Sequence, residues 1–295
     1  MTGAERGFLL LTAFLGNPYE KPLTVAQFRD LTRRCRGMEK PVLERELTSE
    51  DITALGCDKA FTDRVLDLLS RQEQLDWYLN KAKAAGCEPV TRISEGYPNR
   101  LHKALGMEAP ACLWMKGDQK ILHLPRVSLV GSRELHLQNR EFARTVGMQA
   151  AKEGYVLVSG NARGADREAQ ESCLDHGGFV ISVVADPLME HENRARVLYV
   201  AEEGFDIAFS SHRALSRNRI IHALCEKTFV AQCTFGKGGT WSGTKNNLRH
   251  GWSDVYCFRD GSEAARELCA MGATPVDLSN SEMLLAQQPS QLKLL

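Results

Sequence analysis

The chain has no net charge: 37 lysines and arginines balance 37 aspartates and glutamates over 295 residues. A protein that held nucleic acid by bulk attraction would be strongly basic, so any phosphate recognition must come from locally clustered cations. Apolar runs are short as well, Phe8–Leu11 being the longest early one, and no basic-then-apolar leader opens the sequence. That excludes a membrane-spanning helix or secretory signal by pattern, and the expected address is the cytoplasm, with no membrane partner. Not one C-x-x-C pair occurs among nine cysteines (Cys35, Cys57, Cys87, Cys112, Cys173, Cys225, Cys233, Cys257 and Cys269). They read as reduced thiols serving as small apolar residues, not as a zinc or disulfide framework. The eight histidines, His102, His191 and His222 among them, lack metal-ligand spacing, and there is no G-x-S-x-G elbow. The expectation is a protein without metal, cofactor or catalytic residue. With 43% hydrophobic and 25% charged residues it is nonetheless an ordinary globular chain.

Two patterns divide it. Short apolar-periodic segments at Leu23–Arg34 and Leu47–Leu55, then Val65, Leu68, Leu69, Leu75, Leu79 and Ala82 at helical spacing, predict a helical domain over 1–82. Gly86 and Pro89 end it, and a Pro- and Gly-punctuated stretch leads to Gln119. From Arg126 onward apolar runs alternate with helical stretches: strands at Val127–Val130, Tyr155–Val158, Phe179–Val184, Phe205–Phe209, Thr228–Cys233, Val255–Phe258 and near Val276. Helices are expected between them at Leu137–Glu153, Asp166–His176, His191–Glu203, Asn218–Glu226, Thr240–His250 and Glu263–Met271. This alternation predicts a doubly wound α/β domain with a mostly parallel sheet over 83–280, and a loose polar tail at 281–295.

Ligands of such sheets bind beyond the carboxyl ends of the strands. The loops that leave those ends are therefore informative: Gly131-Ser132-Arg133, then Ser159-Gly160-Asn161-Ala162-Arg163-Gly164, then Ser210–Arg213 running on to Arg217-Asn218-Arg219, then Gly236-Lys237-Gly238-Gly239-Thr240. Glycine lets backbone approach an anion, a helix start offers unpaired N–H groups, and an arginine fork clamps phosphate oxygens. The four loops predict one anion-binding edge. The SGNARG run lacks dinucleotide spacing, and GKGGT lacks the G-x-x-x-x-G-K-[ST] spacing of an ATP-hydrolysing loop. Asp166 is either a helix-starting acid or a group that fixes its neighbouring loop. Trp241 is either a stacking platform for a base or plain helix packing.

In order along the chain, YPNRL, VGSR, the block GYVLVSGNARGADREAQ, SRNR, GKGGTWSGTKNNLRHG and ELCAMGATPV resemble the motifs of the DprA/Smf family of DNA-processing proteins, over roughly 89–277. The resemblance implies a Rossmann-like fold that binds single-stranded DNA in a basic pocket, dimerises, helps load a RecA-type recombinase and has no established catalysis. Carried over by position, the pocket would comprise Arg133, Ser159, Gly160, Arg163, Gly164, Asp166, Arg217, Asn218, Arg219, Lys237, Gly238, Gly239 and Thr240. The chain departs from the pattern at Gln170, where the family has His, and at Ala214-Leu215, where it has an aromatic and Pro; Arg163 and Ala165 are also changed. Related phosphoribohydrolases need PGG-x-GT-x-x-E, whose glutamate is missing here. The competing reading is a sensor that binds a small nucleotide on the same edge, for instance in phage defence.

Overall fold

The computed structural model describes residues 1–17, 19–36 and 48–278. The tail expected at 281–295 lies outside them, as does the Leu47 start of the second expected helix. The chain opens with five helices, α1 (Gly3–Thr12), α2 (Val25–Cys35), α3 (Ser49–Ala54), α4 (Lys59–Leu69) and α5 (Gln72–Ala84). Three begin at reciprocal caps, Thr2 with Glu5, Thr24 with Gln27 and Thr48 with Asp51, each satisfying two otherwise orphaned donors. Leu11, Leu23, Leu31, Ile52, Val65 and Leu68 form a core of their own. The boundary expected at residue 82 falls inside α5.

Next along the chain are β1 (Glu88–Thr91), α6 (Asn99–Leu105), β2 (Cys112–Lys116), β3 (Arg126–Val130), α7 (Leu137–Lys152), β4 (Val156–Ser159), α8 (Ala165–Asp175), β5 (Phe179–Val183) and β6 (Val197–Ala201). The chain continues through α9 (Ser211–Ser216), α10 (Asn218–Ala223), β7 (Lys227–Val230), α11 (Gly238–His250), β8 (Asp254–Phe258), α12 (Glu263–Ala270) and β9 (Thr274–Val276). All nine strands lie in one sheet, in the order β1-β2-β6-β5-β4-β3-β7-β8-β9. From β6 to β9 the pairings are parallel; β2 joins β6, and β1 joins β2, antiparallel. The expected α/β class is the one observed, with a short antiparallel flap added on one edge.

Both faces are covered, as parallel sheets require. Phe142, Val146 and Ala150 of α7 and Ala169 and Cys173 of α8 pack on Leu129, Leu157, Phe229 and Tyr256. On the other face Leu101, Ile220, Ile221, Trp241 and Leu268 cover Val130, Val158, Ile181, Leu198 and Val255. The amino-terminal helices reach the same sheet. Leu9, Leu10, Leu75 and Tyr78 share a cluster with Trp114, Leu188 and Phe205, and the Tyr78 hydroxyl donates to Asp206 at 2.7 Å.

Two expected elements are corrected. Residues 191–203 are not a helix: Val197–Ala201 is strand β6, and no strand forms over 205–209. The run Val-Leu-Tyr-Val-Ala is β-branched and aromatic, and it is buried between β5 and β2. An apolar run hidden on both faces has no alternation to separate it from helix. The same ambiguity hid β1 and β2, whose residues fell in a stretch read only as a connection.

The chain runs from β3 through β4 and β5 to β6 on one side, then crosses to β7 on the other. The crevice at this reversal, beyond the carboxyl ends of β3 and β7, is where an open α/β sheet receives its ligand. The helices behind it cross closely at Gly147, where an added Cβ would overlap the Ala169 carbonyl. Gly147→Ala is expected to cost about 1–3 kcal/mol of stability, as overpacking does, measured by urea unfolding. An unchanged midpoint would show that α7 and α8 can separate freely.

Candidate functional site

Four backbone segments meet at the crevice: Gly131–Arg133 after β3, Gly160–Gly164 after β4, Phe209–Asn218 through α9, and Thr234–Thr240 after β7. They enclose a chamber of about 420 Å³, with Val130, Ile221, His222 and Cys233 among its lining residues. A second chamber of about 290 Å³ adjoins it, and Arg133, Ala162, Arg217 and Phe209 border both.

The glycines first serve the loops themselves. A Cβ on Gly131 would collide with Ala165, one on Gly164 with the carbonyls of Ser132 and Arg133, and one on Gly160 with the Arg217 guanidinium. Gly164 also has φ +89°, which favours glycine. Hydrogen bonds then tie loop to loop. The Thr240 hydroxyl donates to the Gly131 carbonyl at 2.9 Å, and the Asn218 amide donates to the Gly239 carbonyl at 3.1 Å.

Arg217 is the central tie. It is only 8% exposed, and its Nη1 donates to the carbonyls of Gly160 and Val183, at the ends of β4 and β5. Burial lowers its affinity for its proton, against Asp166 and Asp186, which raise it. Asp166, also buried, accepts from the N–H groups of Gly160 at 3.1 Å and Ala162 at 3.2 Å. Burial pushes its carboxyl above the usual range, while Arg217 and the two N–H donors pull it down. Of the two roles open to Asp166, the geometry gives it loop fixation.

Arg133 and Lys237 differ in kind. Both are exposed, both line the large chamber, and neither has a hydrogen-bond or ion-pair partner among the described residues. Between them α11 begins at Gly238 without any side-chain cap, so the N–H groups of its first turn are open to an anion. This combination can grip phosphate.

Of the residues expected at the site, Gly131, Ser132, Arg133, Asp166, Arg217, Asn218, Lys237, Gly238, Gly239 and Thr240 line the large chamber, and Gly160 and Arg163 the small one. Arg163 is exposed and pairs with Glu134 at 3.2 Å. Gly164 stands behind the lining. Three residues are not brought to the cleft. Ser159 is fully buried, accepting from Gln170, which stands where the resembled family has histidine. Arg219 turns toward β6 and pairs with Glu202. Trp241 packs into the core, edge-on to Phe235 at 5.0 Å, so helix packing is its role.

The sequence reading missed Phe209, 55% exposed on the wall between the chambers, and Asp186, which lines the smaller one and pairs with His191 at 3.1 Å. It also missed His222. That ring is buried, its Nδ1 3.1 Å from the Asn247 amide nitrogen, and burial alone lowers its pKa to about 3. Asn247 takes the Ser253 N–H on Oδ1, so its amide nitrogen faces His222 as a donor. Nδ1 is then the acceptor, and the proton of the neutral ring sits on Nε2.

A family model described as DNA recombination-mediator protein A matches residues 88–287. DNA processing protein DprA of Streptococcus pneumoniae is 30% identical over 141 residues, 44% of this chain and 50% of that protein. Protein Smf of Escherichia coli is 28% identical over 156 residues, 49% of this chain and 41% of that one. The chain thus spans about half the length of the curated relatives it matches. The crystal structure of DNA processing protein A from S. pneumoniae superposes with a TM-score of 0.75 at 24% identity, over 98% of this chain and 99% of that one. That of Helicobacter pylori, solved for its single-stranded DNA binding mode, gives 0.56 at 22%, over 68% and 94%.

The buried ties and the buried ring each have a measurable consequence. Arg217→Ala leaves two buried carbonyls without their donor, at about 1–3 kcal/mol each, so a clear drop in unfolding midpoint is expected. Full retention of stability would make Arg217 a ligand group and not a tie. His222 binds its proton more weakly folded than unfolded, where its ordinary value is 6.5. Its contribution is therefore complete above pH 6.5 and is lost as pH falls toward 3, by about 1.4 kcal/mol per pH unit. Urea titrations should show a shallower acid-side loss in His222→Gln than in the parent; parallel curves would contradict the burial argument.

Proposed function

The chain belongs to the DNA recombination-mediator protein A family, and from that premise we propose that its cleft binds single-stranded DNA by the phosphate backbone. The observation that carries this is the pairing of Arg133 and Lys237, both unpartnered, with the uncapped start of α11 at the β3/β7 reversal. Phosphate contacts of this kind position a strand without reading a groove. The second chamber favours a strand over a free mononucleotide, because it offers room for a neighbouring nucleotide beside the first.

The cleft acts as a clamp in this reading and not as an active site. Its two bordering carboxylates are already engaged, Asp166 with two backbone N–H groups and Asp186 with His191. A general base or a magnesium ligand would need a carboxylate free to face the substrate. The proposal extends to homodimerisation and contact with a RecA-type recombinase, both on the strength of family membership. It also extends to a cytoplasmic location, which the nine free thiols support. Among the described residues no helix is long and apolar enough to cross a membrane.

Fluorescence anisotropy with a labelled single strand tests the clamp. Binding is expected at low salt, weaker for duplex, with log affinity falling linearly in log salt. Arg133→Ala and Lys237→Ala should each lower the magnitude of that slope by about one without changing the unfolding midpoint. Absence of binding at low salt would refute the proposal. With Mg²⁺ added, the strand should stay intact; cleavage that vanishes in Asp166→Asn would turn the clamp into an active site.

A further inference from the structure

The smaller chamber differs from the larger in its chemistry. It has no helix start of its own, and it contains a carboxylate, which a phosphate avoids. Asp186 stands just past β5 with its side chain 49% exposed, and its Oδ1 is held by His191 Nε2 at 3.1 Å. The His191 ring is in turn stacked on Tyr199, with centroids 4.7 Å apart, so the acceptor is fixed in place. That hydrogen bond also keeps the carboxyl below its usual range, hence ionised. Phe209, on the wall common to both chambers, leaves more than half of its surface uncovered. An uncovered ring beside a fixed acceptor, in a cavity of about 290 Å³, is the environment of a flat group with an N–H donor on its edge.

We propose that this chamber is a base-reading pocket, in which Asp186 accepts a hydrogen bond from the exocyclic amino group of a nucleobase stacked on Phe209. The inference rests on the reading of the cleft as a site for single-stranded DNA, and it divides the labour there. Lys237 and the start of α11 take the phosphate, Arg133 stands between the chambers, and the base enters the smaller one. Adenine, cytosine and guanine carry an amino group. Thymine presents two carbonyl oxygens around its N3–H, and a carboxylate repels them.

Anisotropy titrations with oligo-dC and oligo-dT of equal length decide the matter, because both are weakly stacked pyrimidine strands. The expected result is binding of oligo-dC at least about five-fold tighter, the low end of base discrimination by a side chain. Asp186→Ala should abolish the difference while leaving oligo-dT bound as well as before or better. Phe209→Ala should weaken both strands. Equal affinities in the parent protein, a preference that survives Asp186→Ala, or unchanged affinities in Phe209→Ala would each overturn the pocket alone. Failure of both strands to bind would overturn the single-strand reading along with it.

Discussion

A buried guanidinium holds the functional edge of this protein together. Arg217 donates to carbonyls at the ends of two adjacent parallel strands, which have no further strand residue to pair with at that point. Removing a full charge from water is costly unless neighbours satisfy it, and here Asp166 and Asp186 supply the opposing field. Asp166 in turn collects the N–H groups of the loop after β4. Gly160 must lack a Cβ for the guanidinium to lie against it. Loop shape, strand ends and cleft wall are thus one electrostatic unit, and the residues that touch a ligand are presented by it.

The glycines therefore have a different meaning from the one their abundance suggests. In a loop that cradles phosphate, glycine lets the backbone approach the anion. Here Gly131, Gly160 and Gly164 let loops approach each other and a buried arginine. Gly238 and Gly239 alone stand where the anion argument applies, at the uncapped start of α11. Thr240 joins the two groups, because its hydroxyl is spent on the Gly131 carbonyl and its backbone remains in the first turn.

Much of this was legible in the sequence. The α/β alternation, the parallel core strands β3, β4, β5, β7 and β8, and the convergence of Gly131–Arg133, Gly160–Arg163 and Lys237–Thr240 on one edge all come from periodicity and from the rule that ligands sit at strand ends. The failures have physical reasons. Strand β6 is buried on both faces and carries no alternation. Reading residues 205–209 as a strand made Phe209 a core residue, whereas the segment is irregular and the ring is left at the cleft. Arginines in a motif look alike on paper: Arg133 is open, Arg217 is buried as a tie, and Arg219 is spent on Glu202. Which arginine finds a carboxylate or a carbonyl is set by tertiary neighbours far away in sequence, Glu202 and Val183 among them.

The neutrality of the chain, first an argument against a nucleic-acid partner, becomes informative at this level. Cations around the crevice are largely cancelled where they stand: Arg163 by Glu134, Arg213 by Glu203, Arg219 by Glu202 and, further out, Arg194 by Glu171. Arg133 and Lys237 keep their charge. The positive field is therefore short-ranged and confined to the cleft, where the α11 dipole adds to it. A protein built this way gains little from long-range steering and binds through a few well-placed contacts. Selectivity then depends on threading a flexible strand into a narrow crevice, which a duplex with its bases paired inside cannot do.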